Sequence, residues 1–163
     1  MKTAHFLAVA AIFFGSLRIA AGDPSFVYLV RHAEKVDESK DADLSPEGFR
    51  RAEMIAKFFE QIPIDTVVAT QFQRTQKTVS SVAQAKRLTL TVIDAGKPTE
   101  LIALIRSRPG ATLLVSGHSN TIPELIQKLG GPELSIPHEE YSDLFLLVLV
   151  EGRAYLQRFQ IDP

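Results

Sequence analysis

From Phe26 onward the chain alternates short, uninterrupted apolar runs with longer stretches of helical period, and that rhythm admits few folds. Phe-Val-Tyr-Leu-Val at 26–30 is apolar on consecutive residues and rich in β-formers, so the strand it predicts must be covered on both faces. Residues 65–69, 89–93 and 111–115 have the same character. Strands of this kind, separated by helices, predict a three-layer α/β/α fold around a mainly parallel sheet. The last two strand-like runs, 143–150 and 153–160, are joined by Glu151-Gly152, and two residues suit an antiparallel hairpin.

The helices carry their own punctuation. Ser45 is placed as N-cap and Pro46 at the first helical position of a helix over 46–60, with Leu44 positioned to staple onto Phe49, and Pro63 follows its end. Further helices are expected over about 73–85, 99–107 before Pro109-Gly110, and 122–129 before Gly130-Gly131. No internal repeat or linker composition interrupts Ser25 to Pro163, so residues 23–163 read as one domain.

The first 22 residues read differently. Lys2 precedes an apolar stretch from Phe6 to Phe14, and Ala20, Ala21 and Gly22 follow, the order of a signal peptide cleaved before Asp23. Arg18 interrupts the run well short of the roughly 20 residues a spanning helix needs, so no stable membrane anchor is expected. The expected location is the periplasm or the exterior. Loss of Lys2 and Arg18 leaves 16 basic against 19 acidic side chains, and this mildly acidic domain offers no basic field for nucleic acid. The chain has no cysteine, so an exported domain must rely on its core alone.

Four groups fall where an open parallel sheet binds ligands, beyond the carboxyl ends of its strands. Arg31 and His32 follow the first strand, His118 follows the fourth in Val-Ser-Gly-His-Ser-Asn, and Arg74 opens the helix after the second. Guanidinium forks match phosphate oxygens and stay charged, so two arginines make a phosphate site. A histidine between them has its proton affinity lowered by the neighbouring positive charge, which keeps a ring nitrogen free to attack phosphorus. Arg31, Arg74 and His118 would then stabilise charge on the equatorial oxygens of the transferring group.

The proton donor is less clearly marked. Glu100, in Lys-Pro-Thr-Glu at a helix start beyond the third strand, is the favoured acid over Glu34 and Asp37. Asp37, Glu38, Asp41 and Asp43 lack the glycine and closing glutamate of a calcium loop and read as a solvated loop. His138, Glu139, Glu140 and Tyr141 precede the hairpin either as a lid over the substrate or as a plain polar connection.

In Leu-Val-Arg-His-Ala-Glu-Lys at 29–35, Leu-Ser-Pro-Glu-Gly at 44–48, Ala-Thr-Gln-Phe-Gln-Arg-Thr-Gln-Lys-Thr at 69–78 and Val-Ser-Gly-His-Ser-Asn-Thr at 115–121, the chain resembles the histidine phosphatase superfamily, also called phosphoglycerate mutase-like. The resemblance implies that His32 is the phosphorylated residue, that Arg31, Arg74 and His118 form its phosphate pocket, and that no cofactor or metal is needed. Ala33 stands where many members have glycine, and the longer motif that carries the family's acid is absent, so Glu100 matches by approximate position only. Small members without a clear acid tend to act on good leaving groups, such as phosphohistidine in proteins. The expected substrate is a small phosphate ester or a phosphoprotein. A phosphomutase and an exported phosphate-binding or regulatory module without turnover are the alternatives.

Overall fold

A computed structural model describes residues 22–161; the expected signal peptide lies outside the described residues, apart from Gly22. The order is β1 (Ser25–Arg31), α1 (Pro46–Phe58), β2 (Thr66–Ala69), α2 (Gln73–Lys86), β3 (Leu90–Val92), α3 (Pro98–Arg106), β4 (Thr112–Gly117), α4 (Thr121–Lys128), β5 (Asp143–Val150) and β6 (Arg153–Gln160). The six strands form one sheet in the order β3-β2-β4-β1-β5-β6. β1 to β4 are mutually parallel where they pair, and β5 and β6 continue the sheet antiparallel, as the expected hairpin. No helix of the described residues is long and apolar enough to cross a membrane.

The alternation of side chains along each strand divides the core in two. Val27, Leu29, Leu113 and Val115 pack with Ile105 of α3 and Ile122, Leu125 and Ile126 of α4 on one face. Val30, Val67, Ala69 and Leu114 pack with Ile55 and Phe59 at the end of α1 and with Val79 and Val82 of α2 on the other. Phe59 is fully buried, edge-on to Tyr28 with ring centroids 5.0 Å apart. These two layers cover both faces of the parallel strands, which accounts for their continuous apolar runs.

The entry to α1 is set by contacts close to the site. Ser45 Oγ accepts from the Gly48 amide at 3.1 Å, as the N-cap reading requires. Leu44 is buried with Ala33 and Ala52, while Phe49, its expected staple partner, is 45% exposed. A Cβ on Gly48 would meet the Glu34 carbonyl oxygen at 2.2 Å, so α1 can lie against the segment after His32 only with glycine there. Gly48→Ala should force backbone apart and cost about 3 kcal/mol by urea unfolding. A loss below about 0.5 kcal/mol would show that this contact relaxes freely.

Candidate active site

Strand order and register assemble the site. β4 lies between β1 and β2, with Arg31 opposite Gly117 and Ala69 opposite Ser116. The residues that leave these three strands, His32, His118 and Thr70, therefore emerge side by side at one edge of the sheet. Their neighbourhood is an open cavity of about 490 Å³ lined by Arg31, His32, Lys35, Phe72, Arg74 and His118, with the turn 118–121 and His138 also on its wall. The structure brings together the four groups expected from sequence, Arg31, His32, Arg74 and His118.

His32 is 5% exposed, and its ring lies 5.3 Å from that of His118, centroid to centroid. Its Nδ1 is 2.8 Å from the Ala33 carbonyl oxygen. A carbonyl can only accept, so Nδ1 carries the proton, and in the neutral ring Nε2 keeps its lone pair. The Ala33 amide in turn donates to Thr78 Oγ1 at 2.9 Å, tying this segment to α2. The ring is thereby fixed at its base.

Burial, opposed by the bond to Ala33 and aided by Arg31, His118 and Arg74, pushes the His32 imidazole down to about 3. His118 is lowered to about 4, again by burial first and then by Arg74 and Arg31. The sequence reading ascribed this effect to neighbouring cations; desolvation is the larger cause and the cations reinforce it. His118 Nε2 lies 3.1 Å from Thr70 Oγ1, which is 2.8 Å from Thr75 Oγ1. Thr75 Oγ1 also donates to the backbone carbonyls of Phe72 at 2.8 Å or Thr70 at 3.2 Å. This buried chain of hydroxyls orients the second imidazole. Thr70 and Thr75 stand in the motif that supplies Arg74, but nothing in their spacing alone assigns them a role.

The shifts also carry a stability prediction that needs no substrate. Above the ordinary imidazole value of 6.5 both rings are neutral, folded or unfolded. Below it the unfolded chain takes up two protons that the fold refuses until about pH 4 and about pH 3. Stability should therefore fall as pH drops from about 6.5 to 4, these groups contributing up to about 3 kcal/mol per pH unit. Urea unfolding at pH 7 and pH 5 measures it, and the double variant His32→Asn, His118→Asn should show a shallower dependence. Equal slopes in both proteins would mean that the rings titrate normally.

The arginines are held by backbone. Arg31 is 3% exposed; its Nη1 donates to the carbonyls of Pro137, His138 and Glu140 at 3.1, 2.6 and 3.0 Å, and its guanidinium carbon lies 4.0 Å from the Tyr141 ring centre. Arg74 Nη1 donates to the Lys40 carbonyl at 3.0 Å, and the group stacks 4.4 Å over Phe72. In each the Nε is buried and has no hydrogen-bond partner among the described residues. Burial lowers the proton affinity of both guanidiniums. Two positioned cations with donors to spare beside a neutral imidazole form a receptor for a tetrahedral oxyanion.

Glu100 is not part of this cavity, a correction to the sequence reading. The apolar face of α3, with Leu101, Ile102, Leu104 and Ile105, packs on the sheet. That turns Glu100 to solvent, where its 58% exposed side chain pairs with Lys97 at 3.7 Å. Glu34 is also committed elsewhere, receiving Arg51 Nε at 2.9 and 3.1 Å and Nη2 at 2.7 Å. Asp37 is exposed and accepts from the Ser39 amide at 2.8 Å. Among the described residues, no carboxylate lines the cavity.

The acidic loop has a structural use. Asp41 Oδ1 accepts from the Gln73 amide at 2.8 Å at the start of α2, and Asp43 pairs with Lys77 at 2.5 Å. Among the described residues there is no group of three or more histidine, aspartate or glutamate side chains arranged to hold a metal ion. Lys35, Phe72, His138 and Tyr141 were not assigned to the site from sequence, although the segment from His138 to Tyr141 was marked as a possible lid. Tyr141 reaches Arg31 only because the loop folds back over β1.

Residues 27–95 match the family described as the histidine phosphatase superfamily (branch 1). No curated protein matches the chain in sequence. Among solved structures, the protein histidine phosphatase SixA complexed with tungstate is similar at 22% identity, with a TM-score of 0.66 over 83% of this chain and 96% of that one. A mycobacterial glucosyl-3-phosphoglycerate phosphatase is 12% identical, with a TM-score of 0.68 over 85% of this chain and 100% of its own. Phosphoserine phosphatase from Entamoeba histolytica, in complex with 3-phosphoglyceric acid, is 14% identical, with a TM-score of 0.66 over 83% and 96%. At these identities the structures share the fold.

Proposed function

We propose that this chain, a member of the histidine phosphatase superfamily, hydrolyses phosphate monoesters or phosphoramidates through a phosphohistidine on His32. The observation that carries the reading is the bond from His32 Nδ1 to the Ala33 carbonyl, which leaves Nε2 unprotonated in a cavity that Arg31 and Arg74 also line. Nε2 attacks phosphorus in line, the bond to the leaving oxygen or nitrogen breaks, and Arg31, Arg74 and His118 receive the charge on the equatorial oxygens. Water then attacks the phosphohistidine, the P–N bond breaks with its electron pair returning to Nε2, and inorganic phosphate leaves. In this reading the guanidiniums supply the electrostatic stabilisation and no metal takes part.

The similarity to a protein histidine phosphatase found with tungstate, itself a tetrahedral oxyanion, supports a site for a phosphoryl group. The absence of a carboxylate from the cavity favours substrates whose leaving group departs readily, phosphohistidine in a protein among them. The same absence favours the second reading, a phosphate-binding module that does not turn over. The signal peptide expected over residues 1–22 supports a periplasmic or extracellular location for either activity.

Phosphate release from a generic aryl phosphate, measured on purified protein with a chelator present, tests the assignment. Turnover insensitive to the chelator is the expected result. Binding of inorganic phosphate without turnover would select the binding module, and turnover abolished by the chelator would overturn the metal-free mechanism.

A further inference from the structure

We propose that His138 is the proton donor to the leaving group at this site, carried to the cavity by a loop that Arg31 fastens. The proposal rests on the phosphatase reading above and supplies the group that Glu100 does not. Residues 131–142 connect α4 to β5 without helix or strand, yet the segment is tied at several points. Ile136 is 7% exposed within the core of the α3 and α4 face. The Glu140 amide bonds the Pro137 carbonyl at 3.1 Å, closing a turn whose tip is His138 and Glu139. Glu140 Oε1 accepts from the Ser142 amide at 2.7 Å and from its hydroxyl at 2.6 Å. Arg31 Nη1 then gathers the carbonyls of Pro137, His138 and Glu140, with Tyr141 stacked on the same guanidinium.

One arginine thus joins the floor of the phosphate site to the turn that bears His138, and His138 lines the cavity. The other groups around the cavity are unsuited to giving up a proton. His32 is the attacking group and His118 is held neutral. The arginines do not deprotonate, and the hydroxyls of Ser119 and Thr121 are too weakly acidic. Lys35 Nζ is bound to Glu38 at 2.5 Å. His138 is 66% exposed in its side chain, with Glu139 Oε1 3.9 Å from its Nδ1 and Glu38 and Lys35 as its other charged neighbours. It stands at the open side of the cavity, while His32 is buried at its floor. In-line displacement sends the leaving group away from His32, toward that open side. Imidazole is the side chain used most often for such transfer.

As the P–O bond breaks, the protonated His138 ring gives its proton to the departing oxygen, and a neutral alcohol leaves. In the second step the now neutral ring takes a proton from the attacking water, the P–N bond to His32 breaks, and His138 is left protonated for the next cycle. Protons and charge balance over the two steps, and no further reactant is required.

The test is the dependence of kcat/KM on the leaving group, because this ratio reads the steps up to its release. In His138→Gln, phenyl phosphate, with its poor leaving group, should lose about 30-fold or more, and dinitrophenyl phosphate, whose leaving group needs no proton, less than about threefold. Equal losses on both esters would assign His138 to positioning or binding, and no loss on either would remove it from the reaction; both overturn the proposal. Glu133→Gln, exposed on the same connection and outside the cavity lining, serves as the control and should leave both esters within about twofold. Failure of the phosphohistidine reading itself is seen separately, as turnover that survives His32→Ala.

Discussion

His32→Ala is expected to lower kcat/KM for an aryl phosphate by about 10³-fold or more while leaving a folded protein that still binds phosphate. The size of the loss follows from the role: without the imidazole no covalent intermediate forms, and direct attack by water is all that remains. The ring's fold-sustaining contacts are few, chiefly the bond from Nδ1 to the Ala33 carbonyl and packing near His118 and Tyr141. Arg31 and Arg74 keep their own backbone anchors in the variant, so affinity for inorganic phosphate should change by less than about tenfold. His32→Asn, closer in shape, separates chemistry from packing. Kinetics for substrate turnover and calorimetry for phosphate binding read the two effects, and turnover within about tenfold of the parent would remove His32 from the nucleophile's role.

Arg31→Ala should be the second most damaging change, and it should damage two things at once. Loss of a charge-assisted contact to the transferring group costs about 10²- to 10³-fold in kcat. Loss of the bonds to the carbonyls of Pro137, His138 and Glu140 releases the turn, so amide exchange at residues 137–141 should rise markedly while the buried strands stay protected. Arg31→Lys should rescue little of either. An ammonium is a point charge and cannot bind several carbonyls through one nitrogen while offering the planar fork to phosphate. Unchanged exchange in the loop would show that Ile136 and the Glu140–Ser142 bonds hold it without Arg31.

The parallel strands and the hairpin were legible because each is a continuous or alternating apolar run bounded by punctuation, and β5 and β6 have the bounds their sequence implies. The four groups of the phosphate site were legible for a related reason: strand ends in a parallel sheet converge, so Arg31, His32, Arg74 and His118 could be placed without knowing the strand order. Glu100 was misread because a helix start marks an end of the sheet but not a direction. The apolar face of α3 decides where a first-turn side chain points, and it points Glu100 at Lys97. The hold of Arg31 on the loop was illegible, since it joins a side chain to carbonyls over a hundred residues away and carbonyls leave no trace in a sequence. Thr70 and Thr75 belong with it: a hydroxyl chain to His118 depends on β2 lying next to β4.

Transfer of the phosphoryl group to His32 is read by quenching the protein during turnover of labelled substrate and mapping the label. An acid-labile, base-stable phosphoryl adduct is expected on the peptide that contains His32, absent from His32→Ala. A label on any other residue, or turnover at the full rate with no adduct trapped at any quench time, would contradict it.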